Sequence, residues 1–324
     1  MTNKPLAIVA FGGNALIDDD ARCSINDQYQ TVSNSAKYLV DLIEQGWSLV
    51  LTHGNGPQVG FILRRSELAA HEVDPVPVDY AVGDTQGAIG YMFQKALMNE
   101  LQRRNLQRPV VTLVTQTRVS RQDPAFAKPN KPIGAFMKKE VAEQCAAELG
   151  WTIMEDSGRG WRRCVASPQP QEIIEIESIR TLLDCGSLVI ACGGGGIPVE
   201  RDAEGNLHGV EAVIDKDVSS ALLASELGAD MLIIPTGVEK VAINFGQPNE
   251  QWLDNLTPSE ARALSEQGQF GEGSMKPKVD ALLQFLQGNP QGKGLITKAS
   301  TLMQAIGGHT GTWISNHSSE QSND

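Results

Sequence analysis

The chain has 324 residues, 41% of them hydrophobic and 20% charged, an ordinary globular composition with room for one large domain or two lobes. A formal net charge of −12 argues against a generic nucleic-acid-binding role, which needs a basic face, but leaves small anionic substrates open because a pocket can be locally positive. No stretch approaches the roughly 18 apolar residues of a membrane span.

Met1 to Pro5 leads directly into a strand-like stretch and carries no signal-peptide pattern. Leu6 to Phe11 is a continuous apolar run ending at Gly12-Gly13, a buried strand entering a tight turn. Tyr29, Val32, Ala36, Leu39, Val40 and Ile43 then recur at helical spacing, and Gly46 closes that helix. Trp47 to Thr52 is a second buried strand, ending at Gly54-Asn55-Gly56-Pro57. Ile89 to Leu101 reads as a helix and Pro109 to Thr115 as a third strand. This alternation predicts right-handed βαβ crossovers on a parallel sheet, with the active site beyond the carboxyl ends of the strands.

Gln116 to Ile133 breaks the rhythm with Pro124, Pro129 and Pro132, and reads as a protruding loop or small subdomain. A helix over 138–149 and a hairpin over 151–166 follow. The alternation then resumes with a helix over 173–183, a strand over 188–191, the turn Gly193–Gly196, a helix over 217–227 and a strand over 231–235. Helices near 258–267 and 277–286 precede a last interior strand at 294–297, and the polar tail from Ser315 to Asp324 is expected to be disordered. A weak boundary near Gly186 divides the chain into two half-sheets. Five cysteines (Cys23, Cys145, Cys164, Cys185, Cys192) form no Cys-x-x-Cys pair and read as reduced thiols in a cytoplasmic protein.

Asp215-Lys216-Asp217 stands just before the 217–227 helix, downstream of three glycine-rich turns at Gly12-Gly13-Asn14, Gly54-Asn55-Gly56 and Gly193–Gly196. A lysine between two acids is oriented and kept charged, and such turns expose amides that can surround phosphate oxygens. A capped helix start explains one acid but not a lysine where the helix dipole is already positive. A phosphate site explains both. There is no Walker A motif and no dinucleotide fingerprint, so a P-loop NTPase or an NAD-dependent enzyme is not expected. Lys131 alone reads as a solvated loop residue, and Lys276 and Lys278 as charges opening a helix. His53 reads as a hydrogen-bonded structural residue, Cys192 as a small buried one, and no His/Cys/Asp cluster has metal-ligand spacing.

Together these segments resemble the carbamate kinases, within the amino acid kinase superfamily. The resemblance is carried by Phe11–Leu16, Thr52–Gly60, Thr85–Tyr91, Lys131–Gly134, Gly158–Arg163, Cys192–Val199, Gly209–Asp217, Thr236–Val238 and Gly273–Met275 with Pro277–Val279, in order and collinear. It implies an α/β fold, a three-layer αβα sandwich around a mainly parallel open sheet, with a small protruding subdomain at about 117–137. It further implies one domain over 1–314, with an acceptor-binding half to about residue 185 and a nucleotide-binding half beyond it.

The resemblance implies reversible transfer of a phosphoryl group between ATP and carbamate, Mg²⁺ carried on the nucleotide phosphates, a homodimer, and no nucleic-acid or membrane partner. Gly12, Gly13, Asn14, Gly54, Asn55 and Gly56 would hold the phosphoryl group and the carbamate. Lys216 and Lys278 would neutralise the phosphoryl oxygens and leaving ADP, with Asp217 and Asp215 orienting them and Lys131 closing from the small lobe. Thr236, Gly237, Val238, Ser274 and Met275 would border the nucleotide. Asp84, Ala135 and Lys276 depart from the usual pattern and leave open a kinase for another carboxylate or carbamate-like acid, or a non-catalytic nucleotide-binding paralogue.

Overall fold

The computed structural model describes residues 4–12, 24–156 and 158–316, apart from the side chain of Ala135. The first strand, β1 (Leu6–Phe11), is followed by α1 (Ile25–Glu44), β2 (Ser48–His53), α2 (Gly56–Ala69), α3 (Val78–Arg103) and β3 (Val110–Thr112). Next come β4 (Gln116–Arg118), β5 (Lys131–Met137), α4 (Lys139–Leu149), β6 (Thr152–Glu155) and β7 (Trp161–Val165). The chain continues with β8 (Glu172–Ile173), α5 (Ile176–Asp184), β9 (Leu188–Ile190), β10 (Ile197–Arg201), β11 (Leu207–Gly209), α6 (Lys216–Leu227) and β12 (Met231–Thr236). It closes with β13 (Val241–Ile243), β14 (Gln251–Leu253), β15 (Asn255–Leu256), α7 (Pro258–Glu266), α8 (Lys276–Gly288), β16 (Lys293–Lys298), α9 (Leu302–Ile306) and β17 (Thr312–Ser315).

The main sheet has the order β15-β17-β16-β12-β1-β2-β9-β3. Its pairs from β16 through β12, β1, β2 and β9 to β3 are all parallel, and β17 runs antiparallel to β16. The two-residue period of a strand splits each one between two cores. Ala7, Val9 and Phe11 of β1 pack with Leu39, Phe93 and Leu302 from α1, α3 and α9. Ile8 and Ala10 pack with Leu223, Leu282 and Phe285 from α6 and α8. Burial on both faces explains the unbroken apolar runs and gives the three-layer sandwich that the family resemblance implied. The strands end together at Gly12, Gly54, Cys192 and Gly237, so those turns share one rim.

Several elements differ from the sequence reading. Gly56–Ala69 is a helix, α2, whose buried positions are few and whose glycine-rich start hides the period. The helix expected at 89–101 extends over Val78–Arg103, and that expected at 173–183 begins only at Ile176, because Glu172 and Ile173 form β8. Gln116–Ile133 is not one protruding loop. β4 pairs with β10 and β8 in a four-stranded sheet, whereas Lys131 starts β5 in a separate sheet of order β5-β7-β6. Residues 131–137 of the expected 117–137 subdomain thus join β6, β7 and α4 in a small lobe, whereas 116–118 pair with β10 and β8. β16 is interior as expected, but β17 and β15 extend the sheet past it. Ser315, expected in a disordered tail, closes β17, and residues 317–324 lie outside the described residues.

Candidate functional site

At the rim, α6 begins with Asp215 as its N-cap, the Asp215 carboxylate accepting from the backbone N–H of Asp217 at 2.9 Å. This cap fixes the turn that carries Lys216 and Asp217 into the site. Asp217 is 4% exposed. One of its oxygens accepts from Lys216 Nζ, and the other from Lys278 Nζ, brought in by α8, at 3.0 Å. The second Asp215 oxygen accepts from Lys131 Nζ at 2.9 Å, the lysine reaching across from β5 of the small lobe. Three lysines from three separate elements thus meet two adjacent acids.

Burial pulls the Lys216 ammonium below its ordinary value, with Asp217 opposing and Lys278 adding to the fall. The acids therefore offset the cost of a buried cation rather than giving it a surplus of stability. For Asp215 burial acts to raise the value, but the charge and hydrogen bond of Lys131 prevail and hold the carboxyl below its usual range. All four carboxylate oxygens have donors. A divalent ion held directly by these acids would have to sit beside the three ammonium groups already bonded to them, an unfavourable place for a further cation.

The second turn lies beside this network. Gly54 N–H donates to the carbonyl of Phe11 at 2.9 Å, tying the β2 turn to the β1 turn. Asn55 is the N-cap of α2 but makes no side-chain capping bond; its amide instead donates to Thr85 Oγ1 at 3.0 Å. Among the described residues the N–H groups of Gly56 and Gln58 have no partner, and Pro57 has none to offer, so the start of α2 can face an anion. Gly12 is close to the lysines, since a Cβ added there would sit 3.8 Å from Lys216 Cε. Gly13 and Asn14 lie outside the described residues.

The third turn is tightly packed against its surroundings. Gly193, Gly194 and Gly195 are buried, and the N–H groups of Gly195 and Gly196 are spent within the turn on Cys192 and Gly193 carbonyls. A Cβ at Gly193 would lie 2.5 Å from His53 Nε2, and one at Gly194 would lie 2.2 Å from Asn55 Nδ2. The turn is a packing surface against which the second turn is set. His53 is buried, stacks on Phe93 with ring centroids 6.1 Å apart, and has its pKa lowered to about 4 by burial, so it is a neutral structural residue as expected. Cys192 is fully buried and its thiol pushed up by that burial, again as expected.

A cavity of 470 Å³ opens at the ends of β1 and β12. Gly12, Thr236, Gly237, Val238, Ser274, Met275 and Lys278 all line it. Lys278 both lines the cavity and bonds Asp217, which makes it the link between cavity and lysine network. Sequence reasoning missed Lys240, Phe245, Trp252 and Gln269 on the far wall. Phe245 and Trp252 meet edge to face at 6.2 Å and remain 67% and 43% exposed. Two exposed aromatics within ten residues were the available signal. Two of the departures do not line it: Lys276 turns to Asp280 Oδ2 at 2.6 Å, and Asp84 is exposed on α3, while the Ala135 side chain lies outside the described residues. Lys278 therefore serves the site without Lys276.

A rim of glycine turns and lysines around a cavity at the carboxyl edge of a parallel sheet defines a phosphotransferase of the α/β class. The chain belongs to the amino acid kinase family, whose model matches residues 5–292. It is 50% identical over 311 residues to the carbamate kinase-like protein YqeA of Escherichia coli (strain K12), covering 95% of this chain and 98% of that protein. It is 48% identical over 309 residues to the carbamate kinase of Staphylococcus haemolyticus (strain JCSC1435), with the same coverage. The structure of Giardia lamblia carbamate kinase bound to AMP-PNP superposes with a TM-score of 0.91 at 40% identity, over 97% of this chain and 99% of that one.

Proposed function

We propose that this protein is a carbamate kinase, interconverting ATP and carbamate with ADP and carbamoyl phosphate. The observation that carries the reading is Asp217 holding Lys216 and Lys278 together at the mouth of the cavity. The nucleotide lies in the cavity between Thr236-Gly237-Val238 and Ser274-Met275, and its phosphates point toward Lys278 and Lys216. Mg²⁺ on those phosphates supplies further charge neutralisation.

A carbamate oxygen attacks the γ-phosphorus in line, the bond to the β–γ bridging oxygen breaks, and ADP leaves. Lys216 and Lys278 stabilise charge on the equatorial and leaving oxygens, while Asp217, held behind them, orients both. Gly12, Gly13, Asn14 and the Gly54-Asn55-Gly56 turn contribute neutral donors, with the free α2 amides adding positive potential. Lys131 exchanges Asp215 for the acyl phosphate as the small lobe settles. The acceptor half then runs to about residue 185, and the nucleotide half from 186 to 314.

The same reading takes the enzyme as cytoplasmic and homodimeric. The exposed Tyr80, Tyr91 and Met98 along α3 are the apolar surface available to a second copy. It also takes the cellular direction as ATP synthesis during breakdown of arginine or related nitrogen compounds.

The test is ATP formation by the purified protein from ADP, Mg²⁺ and carbamoyl phosphate, read by luminescence. Lys216→Ala serves as control and acetyl phosphate as a competing donor. Expected is ATP that requires carbamoyl phosphate and disappears in the variant, with ADP affinity changed far less than turnover. A folded, ADP-binding protein that makes no ATP refutes the reading.

A further inference from the structure

Three segments that carry the family resemblance have residues with no place in the chemistry above: Gly60, Gly134 and Arg162. The fold brings them to one point. Arg162, on β7, is 17% exposed; its Nε donates to the carbonyl of Gly134 at 3.2 Å, and its Nη1 reaches Asp156 Oδ2 at 2.9 Å. The ring of Phe136 takes the guanidinium of Arg162 at 5.0 Å and that of Arg159 at 4.7 Å.

Gly134 has φ +73°, and it sits where the register of β5 against β7 shifts between Ile133 and Met137. Against this bend lies Gly60 of α2. A Cβ on Gly60 would come within 3.2 Å of Gly134 Cα, close enough that a methyl there would push the bend back by a few tenths of an ångström. Lys131 stands three residues before the bend, and the Asn55-Gly56 start of α2 stands one turn before Gly60.

We propose that Arg162 is a positioning residue for Lys131, clamping the Gly134 bend onto Gly60 and so fixing the Lys131 ammonium relative to the α2 amides and Asp215. The planar guanidinium suits this task. It can donate to a carbonyl and a carboxylate at once in fixed directions, which a single ammonium point charge does less well. Without the clamp β5 can lift from α2, and Lys131 samples positions away from the transferring group. A misplacement of about 1 Å in a positioned catalytic group can cost up to 10²-fold in rate. The cavity for the nucleotide has no lining residue from the small lobe, so ADP binding is separate from this effect.

The proposal rests on the kinase reading for its catalytic half, and the test separates the two. Arg162→Gln and Gly60→Ala are each made alone and in a Lys131→Ala background. Turnover, KM for ADP and KM for carbamoyl phosphate are measured, together with amide hydrogen exchange over 131–137. Each single variant should lower kcat roughly tenfold, leave KM for ADP within about twofold, and speed exchange at β5 but not in β1 or β12. In the Lys131→Ala background the further loss of kcat should shrink to less than about twofold, because the residue through which the clamp acts is already gone.

Full additivity with Lys131→Ala, a parallel rise in KM for ADP, or unchanged exchange at β5 would overturn the proposal. Gly60→Ala adds one methyl and keeps every charge, so it guards against an Arg162 variant that does not fold. If the unaltered protein makes no ATP from carbamoyl phosphate, the kinase reading falls, while exchange at β5 still decides the clamp.

Discussion

Asp217 and Lys278 are 61 residues apart in the chain and 3.0 Å apart in the fold. Asp217 comes from the first turn of α6 and Lys278 from the first turn of α8, so the contact sets two helix starts side by side at one edge of the sheet. The other oxygen of Asp217 holds Lys216. Two cations that would repel one another are thereby kept in one place by a single buried carboxylate.

Replacing that carboxylate should release both lysines. Asp217→Asn keeps the shape but removes the charge, leaving two mostly buried ammonium groups without their common partner. Turnover should fall about 10²-fold, because both charge-stabilising groups lose their positions. Breaking a buried ion pair of this kind costs about 3–5 kcal/mol, so the melting temperature should fall as well. Steady-state ATP formation and a thermal melt on the same preparation check both.

The third glycine turn should prove structural. Gly194 has φ +67°, and a Cβ there would strike Asn55 Nδ2 at 2.2 Å. Gly194→Ala should therefore cost about 1–3 kcal/mol in backbone strain alone, and displace Asn55 from the acceptor side. Denaturant unfolding together with kcat should show both losses. Unchanged stability would mean that the turn yields more easily than its packing implies.

Lys276 gives the opposite expectation. Its ammonium is paired with Asp280 one helical turn away, and Lys276 is not among the residues lining the cavity. Lys276→Ala should leave kcat and both KM values within about twofold and cost at most about 0.5 kcal/mol of stability, as for other exposed helix pairs. A tenfold loss in KM for ADP would return Lys276 to the site.

His53 should make stability depend on acid. Burial holds its pKa at about 4 in the folded protein, against 6.5 for an unburied histidine. Below 6.5 the unfolded chain takes up a proton that the folded one does not, so stability is present above that pH and is lost as the pH falls toward 4. The full loss is about 3 kcal/mol, from 1.36 kcal/mol per unit. Unfolding of His53→Gln measured at pH 7 and at pH 4.5 should show a correspondingly smaller difference than the unaltered protein.

The strands were legible because parallel strands are buried on both faces, so Leu6–Phe11 and Met231–Pro235 appear as unbroken apolar runs. α1 was legible because one face stays wet and the period of Val32, Ala36, Leu39 and Ile43 shows. α2 was not: its start is glycine and proline, and its few buried positions leave no clear stripe. The segment 116–137 also misled, since prolines near Lys131 resemble a loop although β5 pairs with β7, Lys131 opposite Val165.

The sequence by itself determined the chemistry on offer: lysines beside acids, and glycine turns at the ends of buried strands. These are local facts of composition and spacing, which hold wherever the segments end up. Which lysine meets which acid was decided only by the tertiary structure. Lys131 pairs with Asp215, Lys278 with Asp217, and Lys276 with neither, because each ammonium is delivered by the packing of a separate element against the sheet. The same is true of the Gly193–Gly196 turn. Its sequence offers amides to a phosphate, but the fold packs Gly193 against His53 and Gly194 against Asn55 too closely for a side chain at either position. Partner choice between distant residues depends on long-range packing, and no local pattern encodes it.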